Sequence, residues 1–132
     1  MGYFYKVIRL ISHIYTERYM ASTQFNNPYN ESLVSITPVS GVVSTLVDEI
    51  HERNGIVVGN ILVALVNTPS ASWLTIGTVT ARPKETIWGI VADGVTVEYA
   101  GVYQIQTDGT LRVFIKNGTK SPVLTGICYI KQ

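Results

Sequence analysis

The sequence predicts an all-β protein, an antiparallel β-sandwich or jelly roll, preceded by a short N-terminal segment that is helical or extended. Three observations carry that prediction. From Leu33 onward, apolar residues alternate with polar ones or gather in β-branched runs, as half-buried and buried strands require. Asn54-Gly55, Asp93-Gly94, Asp108-Gly109 and Asn117-Gly118 punctuate those runs, and these dipeptides accept the positive φ of hairpin turns. The runs recur at intervals of about ten residues with no helical pattern between them, which argues against βαβ units.

The N-terminal segment is the single helical candidate. Phe4, Val7, Ile8, Ile11, Ile14 and Tyr15 fall on one face at helical spacing, with Lys6, Arg9, His13, Thr16 and Glu17 opposite; Leu10 interrupts the pattern. Its β-branched and aromatic residues are weak helix formers, so packing or another chain has to hold it. Three forms fit: a helix along an oligomer axis, a strand donated to a neighbour, or a helix on a membrane surface. Residues 1–22 are assigned as an attachment or oligomerisation segment, although Met20-Ala-Ser would also serve as the start of the domain proper. Residues 23–41 form an Asn-rich linker, broken by Pro28, and a first strand, Leu33–Thr37, that stops at Pro38. Residues 42–132 form the β domain.

Within it, Val42–Arg53 turns at Asn54-Gly55 into Ile56–Asn67, which Thr68-Pro69-Ser70 ends. Trp73–Val79 follows, then a loop at Arg82-Pro83-Lys84 and a strand over Ile87–Val91. Asp93-Gly94 is expected to turn directly into a strand over Val95–Ala100. Val102–Thr107 and Thr110–Ile115, joined at Asp108-Gly109 by a type I′ turn, make a hairpin. Asn117-Gly118 then turns the chain into the closing strand, Pro122–Ile130, so that the last three strands form a meander. Ile127 and Tyr129 share one of its faces, Cys128 and Ile130 the other.

Composition narrows the function. A net charge of +1 gives no electrostatic case for nucleic acid or an anionic membrane. Charged residues make up 14% of the chain, against roughly 25% in typical soluble domains, as expected of a subunit whose surface meets other subunits or of a mildly hydrophobic monomer. The longest apolar runs, Ile61–Val66 and Ile87–Ala92, fall far short of the ~20 residues of a membrane helix. Lys6, Arg9 and His13 interrupt any signal-peptide core, so neither secretion signal nor anchor is expected. The single cysteine, Cys128, excludes an internal disulfide framework and reads as a small buried hydrophobe.

No catalytic motif is present. The two histidines, His13 and His51, sit in no nucleophile motif and have no zinc spacing, and phosphate-binding glycine loops are lacking. Asp48-Glu49-Ile50-His51-Glu52-Arg53 is the densest ionisable cluster, but in a strand it splits between two faces and reads as a solvated strand beside a turn. A non-enzyme without metal or cofactor is expected. The sequons Asn30-Glu-Ser32 and Asn117-Gly-Thr119 carry little weight without a secretion signal.

The aromatic residues point elsewhere. A ring beside a carboxylate or amide is what a sugar-binding shelf needs, an apolar face for stacking and polar groups for hydroxyls. Trp88 with Asp93, and Tyr99 with Glu98, Gln104 or Gln106, offer that chemistry. Trp88, Asp93, Glu98, Tyr99 and Gln104 are the candidate ligand-binding residues, whereas Trp73 is assigned to the core.

The order of these features is Arg53-Asn54-Gly55, Trp73-Leu-Thr-Ile-Gly77, the Pro83 loop, Ile87-Trp88-Gly89, Val102-Tyr-Gln-Ile-Gln-Thr-Asp-Gly-Thr-Leu and Thr125-Gly-Ile-Cys-Tyr-Ile. It resembles the C-terminal head domains of bacteriophage tail-fibre and baseplate receptor-binding proteins over Val42–Gln132. The resemblance implies a homotrimeric head on the virion, binding host-surface saccharide near subunit interfaces, with the N-terminal segment joining it to other virion proteins. The chain lacks the long stem and large attachment domain of most such proteins, and its first 41 residues match nothing in them. A virion decoration, head-fibre or assembly protein without glycan binding fits those departures equally.

Overall fold

The computed structural model describes residues 31–69 and 72–132. The segment 1–22, with its helix, strand and membrane-surface alternatives, and the linker as far as residue 30 lie outside the described residues. Ser32–Gln132 forms a compact unit of its own. Nine strands and no helix occur among the described residues: β1 (Ser32–Leu33), β2 (Ile36–Pro38), β3 (Val43–Arg53), β4 (Ile56–Leu65), β5 (Trp73–Val79), β6 (Ile87–Asp93), β7 (Tyr99–Ile105), β8 (Thr110–Ile115) and β9 (Pro122–Ile130). The all-β antiparallel class is as the sequence predicts.

The strands form one sheet in the order β1-β3-β4-β9-β6-β7-β8-β5-β2, every pair antiparallel. Its two ends are the two halves of a single short segment. Leu33 pairs with His51 of β3, while Ile36 pairs with Val79 of β5, so the sheet curls until both edges meet at Val34-Ser35. The Val34 N–H donates to Ile50 O at 3.0 Å and the Thr80 N–H donates to Ser35 O at 3.0 Å, completing the closure. β1 and β2 thus cover the outer edges of β3 and β5 at residues 50–52 and 76–79, which shortens the exposed edges on which sheets aggregate. The interior is aliphatic, with Ile50, Ile61, Ile76, Leu111, Leu124 and Ile127 fully buried.

Two turns differ in chemistry. Asn54 and Gly55 both have positive φ, 54° and 82°, which is the type I′ geometry expected between β3 and β4. At Asp108-Gly109 only Gly109 is positive, at 93°, and the Gln106 N–H donates to Thr110 O while the Gly109 N–H donates to Gln106 O. This is a three-residue connection, a type I turn followed by a glycine bulge, in place of the expected type I′. The Asp108 carboxylate locks it by accepting the Thr110 N–H at 2.9 Å, a bond that holds its carboxyl below the usual carboxylate range.

Two expected connections are corrected. Val95–Glu98 is a loop, not the start of a strand. Asp93 Oδ1 accepts the N–H groups of Val95 (2.8 Å) and Thr96 (3.4 Å), and the Val97 N–H donates to Asp93 O, so the side chain outcompetes the ladder. Nor does β9 follow β8 as a meander neighbour. Lys120 O accepts the Leu65 N–H and Ser121 O accepts the Gly94 N–H, drawing the chain between β4 and β6. β9 suits that central place because it is apolar on both faces.

β6 and β9 pair only at Val91–Asp93 and then diverge. Tyr103 ties them below the divergence. Its ring lies against Gly89, where a Cβ would meet ring atoms at 2.2 Å, and its hydroxyl donates to Thr125 O at 3.0 Å. Only glycine admits a ring packed so tightly over the strand backbone.

Candidate functional site

The candidate site is built on the outer face of the sheet by register. Trp88 of β6, Gln104 of β7, Arg112 of β8 and Thr75 of β5 are successive cross-strand partners and form one row. Ile90, Val102, Phe114 and Trp73 form the row beside it. Alternation turns both rows outward, because Tyr103, Leu111 and Val113 on the same strands point into the core.

The two tryptophans start from strands three intervals apart, about 14 Å at the usual strand spacing. Their rings nevertheless meet edge to face, with centroids 5.8 Å apart. Both side chains thus lean inward over β7 and β8. Trp73 also packs edge to face on Phe114 at 5.5 Å, and the Arg112 guanidinium lies over the Trp73 ring, 4.3 Å from its centroid. Beneath this cover Gln104 is only 6% exposed although it belongs to the outer face, and its Oε1 accepts the Arg112 Nε–H at 2.8 Å. Trp88 keeps 61% of its surface in solvent. The arrangement offers an exposed indole, a second indole set against it and a guanidinium stacked on that second ring: a stacking platform with hydrogen-bond donors at its edge.

Of the five residues proposed from sequence, the structure brings Trp88 and Gln104 together as direct partners. Gln104 there holds Arg112 and has little surface of its own. Tyr99 lies on the same face, opposite Ala92, four residues along β6 from Trp88 or about 13 Å at the usual rise per residue. It is exposed and borders a shallow groove with Val102, Phe114 and Lys116. Asp93 stands at the end of β6, where its carboxylate closes the turn to β7. Glu98 faces Lys116 at 3.8 Å; both are exposed, so the pair contributes little.

Two residues of the platform were missed. Trp73 is half-buried on the outer face, not in the core as expected from sequence, because β5 lies at the side of β8 that presents Phe114. Arg112 lay one position off in the expected register: a type I′ turn at Asp108-Gly109 would set Gln104 opposite Val113, and the extra residue of the bulged turn sets it opposite Arg112. Trp73 carried no legible signal, since the β5–β8 pairing joins segments distant in the chain.

The ionisable cluster on β3 divides as its alternation requires. Ile50 points inward and His51 pairs on the outer face with Val58. Asp48 is half-buried; burial raises its carboxyl above the usual range, opposed by the Ile50 N–H that Oδ1 accepts at 3.0 Å and by the nearby His51. Glu52 is taken up by the Gly55 N–H and by Lys131 at 3.4 Å. Among the described residues no group of three or more His, Cys, Asp and Glu could hold a metal ion. Cys128, expected buried, is exposed on the outer face beside Val58, because in β9 it is Ile127 and Tyr129 that face the core.

A second exposed face lies across β3, β4 and β9 and is aliphatic. Val47, Leu62 and Val123 form one row and Arg53, Ile56 and Ile130 another, with His51, Val58 and Cys128 next to it. No family model, curated protein or solved structure matches the chain.

Proposed function

We propose that this chain is a non-enzymatic bacteriophage virion protein, the trimeric receptor-binding head of a tail fibre or baseplate, and that its aromatic outer face holds a host-surface saccharide. The observation that carries this reading is the exposed Trp88 ring, set against Trp73 and Arg112 on rigid strands. A sugar presents an apolar ring face and a rim of hydroxyls, and this platform matches both, with the indole for the face and guanidinium donors for the rim. The order of turns and aromatic strands over Val42–Gln132 supports the phage assignment. Trimer contacts are assigned to the aliphatic face of β3, β4 and β9, which leaves the aromatic face for ligand.

The test uses the chain's own reporters. Both of its tryptophans sit on the platform. Titration of the full chain with bacterial cell-wall saccharides should therefore change its indole fluorescence, and Trp88→Ala should weaken binding at least tenfold. Light scattering should give three subunits.

A second reading is a decoration, head-fibre or assembly protein that binds no glycan. The exposed aliphatic face favours it, because such a face suits protein neighbours. A trimer whose fluorescence answers to no saccharide would select it.

A further inference from the structure

The platform holds a cation with no anion. Arg112 is stacked on Trp73 and its Nε–H is taken by Gln104. Among the described residues no carboxylate lies within ion-pair distance of it; Arg82, Lys84 and Lys120 share that, and Arg112 is set apart by its stacking on Trp73 and its bond to Gln104. In a chain with only 14% charged residues, this leaves an uncompensated guanidinium at the most aromatic place on the described surface.

Its geometry is also pre-organised. A guanidinium has five N–H donors, and Nε uses one, leaving those on the two terminal nitrogens in a fixed plane that matches a carboxylate or phosphate. The anchoring amide is itself confined, because Gln104 is buried. Ordering this arginine for a ligand therefore costs little side-chain entropy.

Resting on the saccharide-binding reading above, we infer that Arg112 recognises an anion, and that the glycan held on this face carries a carboxylate or phosphate group beside the ring stacked on Trp88. Gln104 is the positioning residue. It sets the plane of the guanidinium and does not itself meet the ligand.

The experiment compares matched oligosaccharides on the full chain by calorimetry and indole fluorescence: a uronic-acid oligomer, its methyl ester, a glycerol-phosphate oligomer and a neutral N-acetylglucosamine oligomer. The acid or the phosphate should bind at least tenfold tighter than the ester and the neutral oligomer, and whichever of the two binds tighter identifies the source of the charge. Arg112→Gln should abolish that preference, so that acid, phosphate, ester and neutral oligomer bind alike. Raising the salt concentration should weaken the anionic ligand and spare the ester, a readout that needs no variant to fold. Equal affinity for acid and ester, or a preference that survives Arg112→Gln, overturns the inference and leaves the saccharide reading standing. No binding of any oligomer overturns both.

Discussion

The two outer faces of this sheet are built by the same alternation and differ in what the alternation exposes. Across β3, β4 and β9 it exposes Val47, Leu62, Val58 and Ile130, short branched side chains that stand up from the strand and make a surface without relief. Across β5 to β8 it exposes rings that lean on one another, bury a glutamine and fix an arginine. The first surface offers area alone, and area is what another protein subunit covers. The second offers a directional pattern of ring faces and donors, which a small polar ligand can read. Charge does not distinguish them, since the first face also carries Glu49, His51 and Arg53 on β3 and the second Arg112 and Lys116 on and after β8.

The largest effect that separates surface from support concerns Tyr103 and Trp88, residues that flank β6 from opposite sides. Tyr103→Ala should cost about 3–5 kcal/mol, because it empties the space against Gly89 and removes the tie to Thr125 where β6 and β9 diverge. Trp88→Ala, which removes one edge-to-face contact, should cost about 1 kcal/mol. Chemical denaturation of the two variants compares them directly, and equal losses would place Trp88 among the supports of the fold.

A smaller effect follows from the buried phenols. Burial raises the Tyr103 hydroxyl to about 12, and burial with the neighbouring Asp48 raises Tyr129 likewise to about 12. Unfolded tyrosine titrates near 10, so the folded state keeps protons that the unfolded state gives up. Stability should be full below about pH 10 and fall as pH rises from there to about 12, by roughly 2 kcal/mol per phenol. The Tyr103→Phe, Tyr129→Phe double variant should lose most of this alkaline sensitivity, at a cost at neutral pH of about 1 kcal/mol for each hydrogen bond to Thr125 and Ala81. A denaturation midpoint followed from pH 8 to 12 checks the sign.

The smallest change in stability tests the aliphatic face. Leu62→Asp should alter unfolding by no more than about 0.5 kcal/mol, as expected of an outward side chain. It should lower the molar mass in light scattering from trimer to monomer and leave saccharide-induced fluorescence changes in place. A trimer that survives would move the subunit contact off this face.

How much of this was legible beforehand depends on the distance over which residues act. The Asn54-Gly55 turn, strand β5 and the two-faced pattern of β9 followed from local periodicity and from the φ preferences of Asn and Gly. So did the choice of Trp88 and Gln104 as candidates, although Gln104 was expected beside Tyr99 and the structure sets it opposite Trp88. The Asp93 loop was misread at equally short range, because a side chain that accepts backbone N–H groups competes with strand geometry and leaves no mark in hydropathy.

What only the tertiary structure decided is which distant strands lie side by side. Alternation assigns Trp73, Trp88 and Arg112 to one face or the other of their own strands, but it cannot state that β5 closes against β8 or that β9 enters between β4 and β6. Those pairings come from the closing of one sheet around a shared core, where each strand takes the place that satisfies its backbone donors and buries its inward side chains together. The sequence by itself determined most of the strands, the Asn54-Gly55 turn and Trp88 as a candidate ring. The closure of the sheet left that indole exposed and brought the second indole and the Arg112 guanidinium to it.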